Sequence, residues 1–255
     1  MRKSTFTLLS LCLGIQLQAR DGGEKYKEAM KKAMALMETA MVDTVDPVSK
    51  YQNAANRFER IGLAEKKEWL PFYYAGMCYS MMVYQMKDMT KVDPALDRAD
   101  EFLDKALDMK LKDNEKSELL VMKGMVCGGR IMVEPGTRAM TYGPQSGSYY
   151  QRAVNLNPEN PRALAFSGQS LMFTPKQFGG GREKAIPVLE DAMTKFDAWE
   201  NPYELFPDWG QEYFQEILEF GKSGEKAPWE EEMPEEGDPD GEANPDRAPE
   251  GGGEK

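Results

Sequence analysis

The stretch Ser146-x3-Tyr150-x2-Ala153-Val154-Asn155-Leu156-Asn157-Pro158-Glu159-Asn160-Pro161 decides how the rest of the chain is read. Its small, large and small residues recur at i, i+4 and i+7, so they share one face of a helix. The loop that follows stops that helix and starts another. Asn suits a helix C-terminus, and Pro fits a first turn but not a helix interior. The same spacing recurs at Ala99-x3-Leu103-x2-Ala106 and Ala185-x3-Leu189-x2-Ala192, and, with Ile in the last place, at Ala54-x3-Phe58-x2-Ile61.

Three of these segments follow a helix built around a glycine. The glycine helices are Phe72-Tyr73-Tyr74-Ala75-Gly76-Met77-Cys78-Tyr79, Leu120-Val121-Met122-Lys123-Gly124-Met125-Val126-Cys127 and Leu164-Ala165-Phe166-Ser167-Gly168-Gln169-Ser170-Leu171. Gly and Ala at these spots let two antiparallel helices approach closely, with the aromatic or Leu filling the gap. Lys25 to Val42 supplies a first helix for the earliest pair, and Asp208 to Phe220 reads as a last helix capping the array.

On these residues the chain resembles the tetratricopeptide repeat family, whose pattern is W-x2-L-G-x2-Y…A-x3-F-x2-A…P. Ala153-Val154-Asn155-Leu156-Asn157-Pro158 is the most specific match, and the resemblance covers roughly residues 25–220. It implies an all-α fold, an antiparallel helix-hairpin solenoid of about four repeats plus a capping helix. From Gly76 to Ala99 is 23 residues, from Gly124 to Ser146 is 22, and from Gly168 to Ala185 is 17. A regular repeat places these positions about a dozen apart. Insertions are therefore expected at Gln85–Asp97, Pro135–Gln145 and Pro175–Arg182, all on one edge of the stack.

The two ends differ from this body. Arg2-Lys3 precedes the apolar run Phe6 to Ile15, which is too short to span a bilayer and reads, with cleavage after Ala19, as a signal peptide over residues 1–19. Residues 20–222 form the repeat domain. Residues 223–255 carry twelve Asp or Glu against Lys226, Arg247 and Lys255, and are otherwise mostly Gly and Pro. Such a stretch buries too little apolar surface to offset its ordering entropy, so a disordered acidic tail is expected. The expected location is periplasmic or secreted, with no transmembrane segment in the mature chain.

Composition narrows the chemistry. The chain of 255 residues has a net charge of −11 and no histidine. Without histidine there is no Ser-His-Asp or Cys-His triad, no histidine metal site and no histidine general base. The negative balance argues against nucleic acid as a partner. No nucleophile motif stands out, and the acid runs of the tail have no scaffold to fix their separation. We expect no enzyme activity, no catalytic residue, no cofactor and no metal site.

Binding candidates lie on the glycine helices, which line the concave groove in the family this chain resembles. By helical spacing from the shared glycines, Tyr73, Met77, Met81, Val121, Met125, Ala165, Gln169, Met172 and Phe173 face that groove. The set is apolar. It is either core covered by the insertions or the last helix, or a cleft for an apolar peptide or lipid-like molecule. Gly128 and Gly129 would widen the cleft or let a backbone approach. Gly179, Gly180, Gly181 and Arg182 enter a helix and form a weak anion-binding candidate beside a plain connecting-loop reading.

Other features read as packing first. Met30, Met34, Met37 and Met41 form one helical stripe, an apolar face more than a soft-metal site. Cys78 and Cys127 occupy near-equivalent places in neighbouring repeats, as buried thiols or as a disulfide. Aromatics cluster at Trp69–Tyr74 and again from Trp199 to Trp209, to be read as inter-repeat packing or as an exposed anchor. The leading functional expectation is an exported, non-enzymatic adaptor that binds another protein or peptide. The alternative is a carrier or transport accessory that holds an apolar small molecule in the groove.

Overall fold

The computed structural model describes residues 23–43 and 45–225. The signal segment expected at 1–19 and all of the acidic tail beyond residue 225 lie outside the described residues. Among the described residues there are nine α-helices and no strand. They are α1 (Glu24–Val42), α2 (Pro47–Ala64), α3 (Leu70–Met82), α4 (Val92–Leu107), α5 (Asp113–Ile131), α6 (Pro135–Leu156), α7 (Pro161–Met172), α8 (Arg182–Asp197) and α9 (Gln211–Ser223). α9 runs to Ser223, the first residue of the stretch that the sequence reads as tail.

Local chemistry sets the helix starts. Asn160 is the N-cap of α7, and its side chain accepts from the N–H groups of Arg162 and Ala163 at 3.0 and 3.2 Å. Pro161 follows at the first helical position, where its missing N–H costs nothing. Asp46 caps α2 in the same way, accepting from Ser49 N–H ahead of Pro47. At the head of α5 the Glu115 carboxylate reaches back to the Lys112 N–H at 2.8 Å.

Consecutive helices pack on each other throughout, and the odd-numbered helices α1, α3, α5, α7 and α9 also touch in succession. The pattern glycines explain the closeness of the pairs. A Cβ on Gly76 would stand 2.9 Å from Leu103, one on Gly124 2.2 Å from the Tyr150 ring, and one on Gly168 2.7 Å from Leu189. Each glycine thus seats the large residue of the small-x3-large-x2-small motif on the next helix. α3 lies in the middle and is buried nearly all round, with Met81 its one half-buried residue, as an interior helix of uniformly apolar sequence should be.

An outer layer of charge ties α4, α5 and α6. Arg130 of α5 meets Asp97 and Asp100 of α4 at 2.7 and 2.8 Å, Lys123 meets Asp100 and Asp104 at 2.6 and 2.9 Å, and Arg138 of α6 meets Asp93 at 2.8 Å. Burial alone would weaken the Lys123 charge, yet the Asp100 and Asp104 carboxylates outweigh it and raise its pKa.

The expected insertions take different forms. The segment before α4 folds into two 3-10 turns, Val83–Gln85 and Met89–Lys91. Pro175–Arg182 forms the turn Lys176–Phe178 and the glycine bend. Pro135–Gln145 is a correction: it is the first half of α6, which starts on Pro135 and runs through Pro144. This half lies mainly at the surface, where the carbonyl that Pro144 leaves unpaired can meet water.

Candidate functional site

The odd helices present one continuous face, and its two halves differ. In α3 the stripe Tyr73, Met77 and Met81 follows i, i+4 and i+8, and Tyr84 lies just beyond it in the 3-10 turn Val83–Gln85. In α5 the equivalent stripe is Val121, Met125 and Gly128, and in α7 it is Ala165, Gln169 and Phe173, with Met172 alongside. Tyr73, Met77, Val121, Met125, Ala165 and Met172 are buried, whereas Met81, Gln169 and Phe173 are half-buried. Burial therefore falls off toward the C-terminal ends of these helices.

The buried half is covered by the chain itself. The segment between α8 and α9, residues 198–210, crosses back over the odd helices as a strap. Tyr203 accepts from the Trp69 indole N–H at 2.8 Å and donates to Glu115 at 3.0 Å. The Tyr74 hydroxyl donates to the Leu205 carbonyl at 3.0 Å, and the Trp209 indole donates to the Tyr73 hydroxyl at 2.9 Å. Glu204 pairs with Lys27 and Lys31 of α1. Leu205 adopts φ of 69°, a left-handed conformation that costs a side-chain-bearing residue about 1–2 kcal/mol and that these contacts offset.

Beneath the strap sits a buried ion pair. The Arg162 and Glu118 side chains are wholly inaccessible, and Arg162 Nε and Nη2 reach both Glu118 oxygens at 2.8–3.1 Å. Trp199 and Trp209 of the strap lie 5.1 and 6.0 Å from the guanidinium carbon. Neither the pair nor the strap's path was read from the sequence. The two aromatic clusters were the available signal, and they meet each other across more than a hundred residues of chain.

The other half stays open. Tyr84 and Tyr213 are 49% and 47% exposed, although they stand far apart in sequence. Gln169 donates to the Tyr213 hydroxyl at 2.5 Å, which fixes α9 against α7 here. A Cβ added at Gly128 would meet nothing within 4 Å, so the backbone of α5 is bare on this face. Burial raises the Tyr84 hydroxyl to about 12, with Tyr213 close enough to push in the same direction, and burial raises Tyr213 as well. In the layer beneath, Tyr150 stacks on Phe166 at 5.1 Å, and Phe166 meets Phe214 edge-on at 4.8 Å; all three rings are buried.

A concavity of about 680 Å³ lies between α2, α3 and α4, lined by Gln52, Tyr79, Met82, Met86, Pro94 and Arg98 among others. Both cations of its lining are engaged: Lys91 pairs with Asp88, and Arg98 pairs with Glu59 and Glu101 and lies over the Phe102 ring at 4.7 Å. The Gly179–Arg182 loop closes the α7–α8 hairpin. Arg182 donates to the carbonyls of Phe220 and Gly221 at the end of α9, and Lys184 donates to Gly179. Gly180 is tightly fitted, since a Cβ there would lie 2.1 Å from the Thr174 carbonyl oxygen. The methionine stripe forms the inner face of α1, with Met30 and Met37 buried and Met41 exposed. Cys78 and Cys127 are free, buried thiols, and burial pushes both thiols up in pKa. Among the described residues no group of three or more Cys, Asp or Glu is placed to hold a metal ion.

No helix of the described residues is long and apolar enough to cross a membrane. No family model matches the sequence, and no curated protein matches it. Among solved structures the chain is similar to the HusA haemophore from Porphyromonas gingivalis, with 28% sequence identity and a TM-score of 0.69. The match covers 81% of this chain and 98% of that one, so the likeness extends over nearly all of the haemophore's chain.

Proposed function

We propose that this protein is an exported carrier that binds haem, or a molecule of the same flat, apolar kind, and performs no chemistry on it. The likeness to a haemophore along 98% of that protein's length carries this reading. The half-exposed Tyr84 and Tyr213 rings add to it, because aromatic surface suits a flat hydrophobic ligand. With no histidine in the chain, imidazole cannot hold the iron, which leaves Tyr, Met or Cys as side chains able to reach it and the face and edge of the macrocycle as the other sources of affinity. We read the succession of helix pairs as a tetratricopeptide-like solenoid, with export directed by residues 1–19. The adaptor alternative has no observation in its favour beyond that architecture, which serves many functions.

Native mass spectrometry on the protein purified gently from its own cell envelope tests the reading. A stoichiometric adduct of haem or porphyrin mass, released on denaturation, is the expected result. A stoichiometric protein partner with no small-molecule adduct would overturn it in favour of the adaptor.

A further inference from the structure

The concavity between α2, α3 and α4 measures about 680 Å³, within the roughly 300–1,000 Å³ of small-ligand sites. Its floor is apolar and its rim polar. Tyr79 and Met82, one turn apart on α3, are buried with Ala95 of α4, whereas Ser49, Asn53 and Lys91 stand exposed around the opening. Gln52 Nε2 donates to the Tyr79 hydroxyl at 2.8 Å and to Asn56 at 2.9 Å, so the phenol is held in place and keeps its own proton to give. The charge of the lining is the reverse of the chain's. The sequence has 43 acidic against 32 basic residues, yet the lining carries Lys91 and Arg98 and no carboxylate. Asp88, Glu59 and Glu101, which pair with these cations, lie outside the lining and are partly exposed. Such surface pairs contribute little, and a ligand carboxylate can share or replace them. Four of the eleven lining residues, Met86, Lys91, Pro94 and Ala95, come from residues 85–97. That stretch is what sets Gly76 and Ala99 23 residues apart, against 17 for Gly168 and Ala185, so the added chain builds one wall of the concavity.

We propose that the carried macrocycle seats in the α2–α4 concavity, with its apolar body on Tyr79, Met82 and Met86 and its carboxylates at the rim beside Lys91 and Arg98. This rests on the carrier reading above and assigns the site within it. Haem is a flat apolar ring with two carboxylates on one edge. The floor suits the ring, because an aromatic side chain and flexible thioethers fit a flat apolar surface. Tyr and Met are also side chains that reach a haem iron without histidine, and the floor offers both. Lys91 and Arg98 stand seven residues apart, about 10 Å along α4, and both side chains are long enough to converge on one edge of the ring. The carboxylates stay at the opening, where their charge is not buried. Lys91 and Arg98 are thus specificity-determining residues that favour a carboxylate-bearing ring over a neutral one. The half-exposed Tyr84 and Tyr213 rings lie outside this lining, so variants can separate the two places.

Absorbance titration of haem into the purified protein tests the site, with the melting temperature as the check on folding. Asn53→Trp sets an indole across the concavity from an exposed position of α2, where tryptophan is no worse a helix former than asparagine, so the melting temperature should hold. Its affinity for haem should fall by about tenfold or more, because a clash with the ligand then stands in the site. Lys91→Glu reverses an exposed rim charge and should cost about threefold to tenfold. Tyr84→Ala with Tyr213→Ala should keep the wild-type affinity. Wild-type affinity in both Asn53→Trp and Lys91→Glu would overturn the site while leaving the carrier reading intact. Loss confined to the double alanine variant would also overturn it and move the ligand to the Tyr84 and Tyr213 rings. Absence of saturable binding by the wild type would overturn the carrier reading and this site with it.

Discussion

Replacing Glu118 by Leu should destabilise the protein by about 3–5 kcal/mol, and replacing Arg162 by Met should cost about the same. The reason is that either change leaves one fully inaccessible charge with no counter-ion. Each loss is a large share of the roughly 5–15 kcal/mol that holds a domain together. The double variant is the informative one. Leu and Met approximate the volume of the pair, and exchanging a buried ion pair for apolar groups is neutral or stabilising by about 1–4 kcal/mol. Arg162 Nη1 has no hydrogen-bond partner among the described residues, so Met also removes an unsatisfied buried donor. Trp199 and Trp209 would then pack on a thioether instead of a guanidinium, a contact of comparable quality. The assay is equilibrium urea denaturation of the four proteins, followed by far-ultraviolet circular dichroism, with the near-ultraviolet signal reporting the strap tryptophans. Single variants that each lose less than about 1 kcal/mol would refute the claim that the pair is desolvated. A double variant no more stable than the sum of the singles would refute the claim that the two charges answer each other.

Three further outcomes follow from the packing and the titrating groups. Gly124→Ala should cost about 1–3 kcal/mol in the same denaturation assay in spite of alanine's better helix propensity, because its Cβ would lie 2.2 Å from the Tyr150 ring; an unchanged midpoint would mean α5 and α6 are less tightly joined. Burial raises the hydroxyl pKa of Tyr73, Tyr74, Tyr150 and Tyr203, so the stability they contribute is fully present below the ordinary tyrosine value of about 10 and is lost as pH rises through the raised values. With no histidine to titrate, stability should be nearly flat from about pH 6 to pH 9, and tyrosinate absorbance of these four should appear only together with cooperative unfolding; their ionisation in the folded protein would contradict the burial. Cys78 and Cys127 should react with a thiol reagent only after denaturation, and reductant should leave the melting temperature unchanged; a drop on reduction would reveal a bridge.

The helices and their pairing were legible in the sequence because both depend on short-range spacing. A glycine at the contact and a large residue at the centre of the next helix's motif are local statements, and Gly76 with Leu103, Gly124 with Tyr150 and Gly168 with Leu189 meet as that spacing requires. Asn160 and Pro161 start a helix for reasons contained in the residues themselves. Pro135–Gln145 reads as an insertion because Gly124 and Ser146 stand 22 residues apart, but α6 takes up those residues in its first half, in spite of the low helix propensity of Gly136, Gly143 and Pro144.

The candidate site was legible as a stripe and not as a surface. Helical spacing identifies which residues of α3, α5 and α7 share a face, and says nothing about what lies against that face. Whether Tyr73 and Met77 are groove or core depends on residues 198–210, which reach them through contacts such as Trp69 to Tyr203 and Tyr73 to Trp209, more than 130 residues apart in the chain. No periodicity encodes a contact of that range, because its energy comes from burial of surfaces that only the assembled helices create. The sequence by itself determined that the chain is helical, lacks histidine chemistry and pairs its helices through small residues. The tertiary structure decided which half of one apolar face the strap closes, burying Tyr73 and Met77 while Tyr84 and Tyr213 stay half exposed.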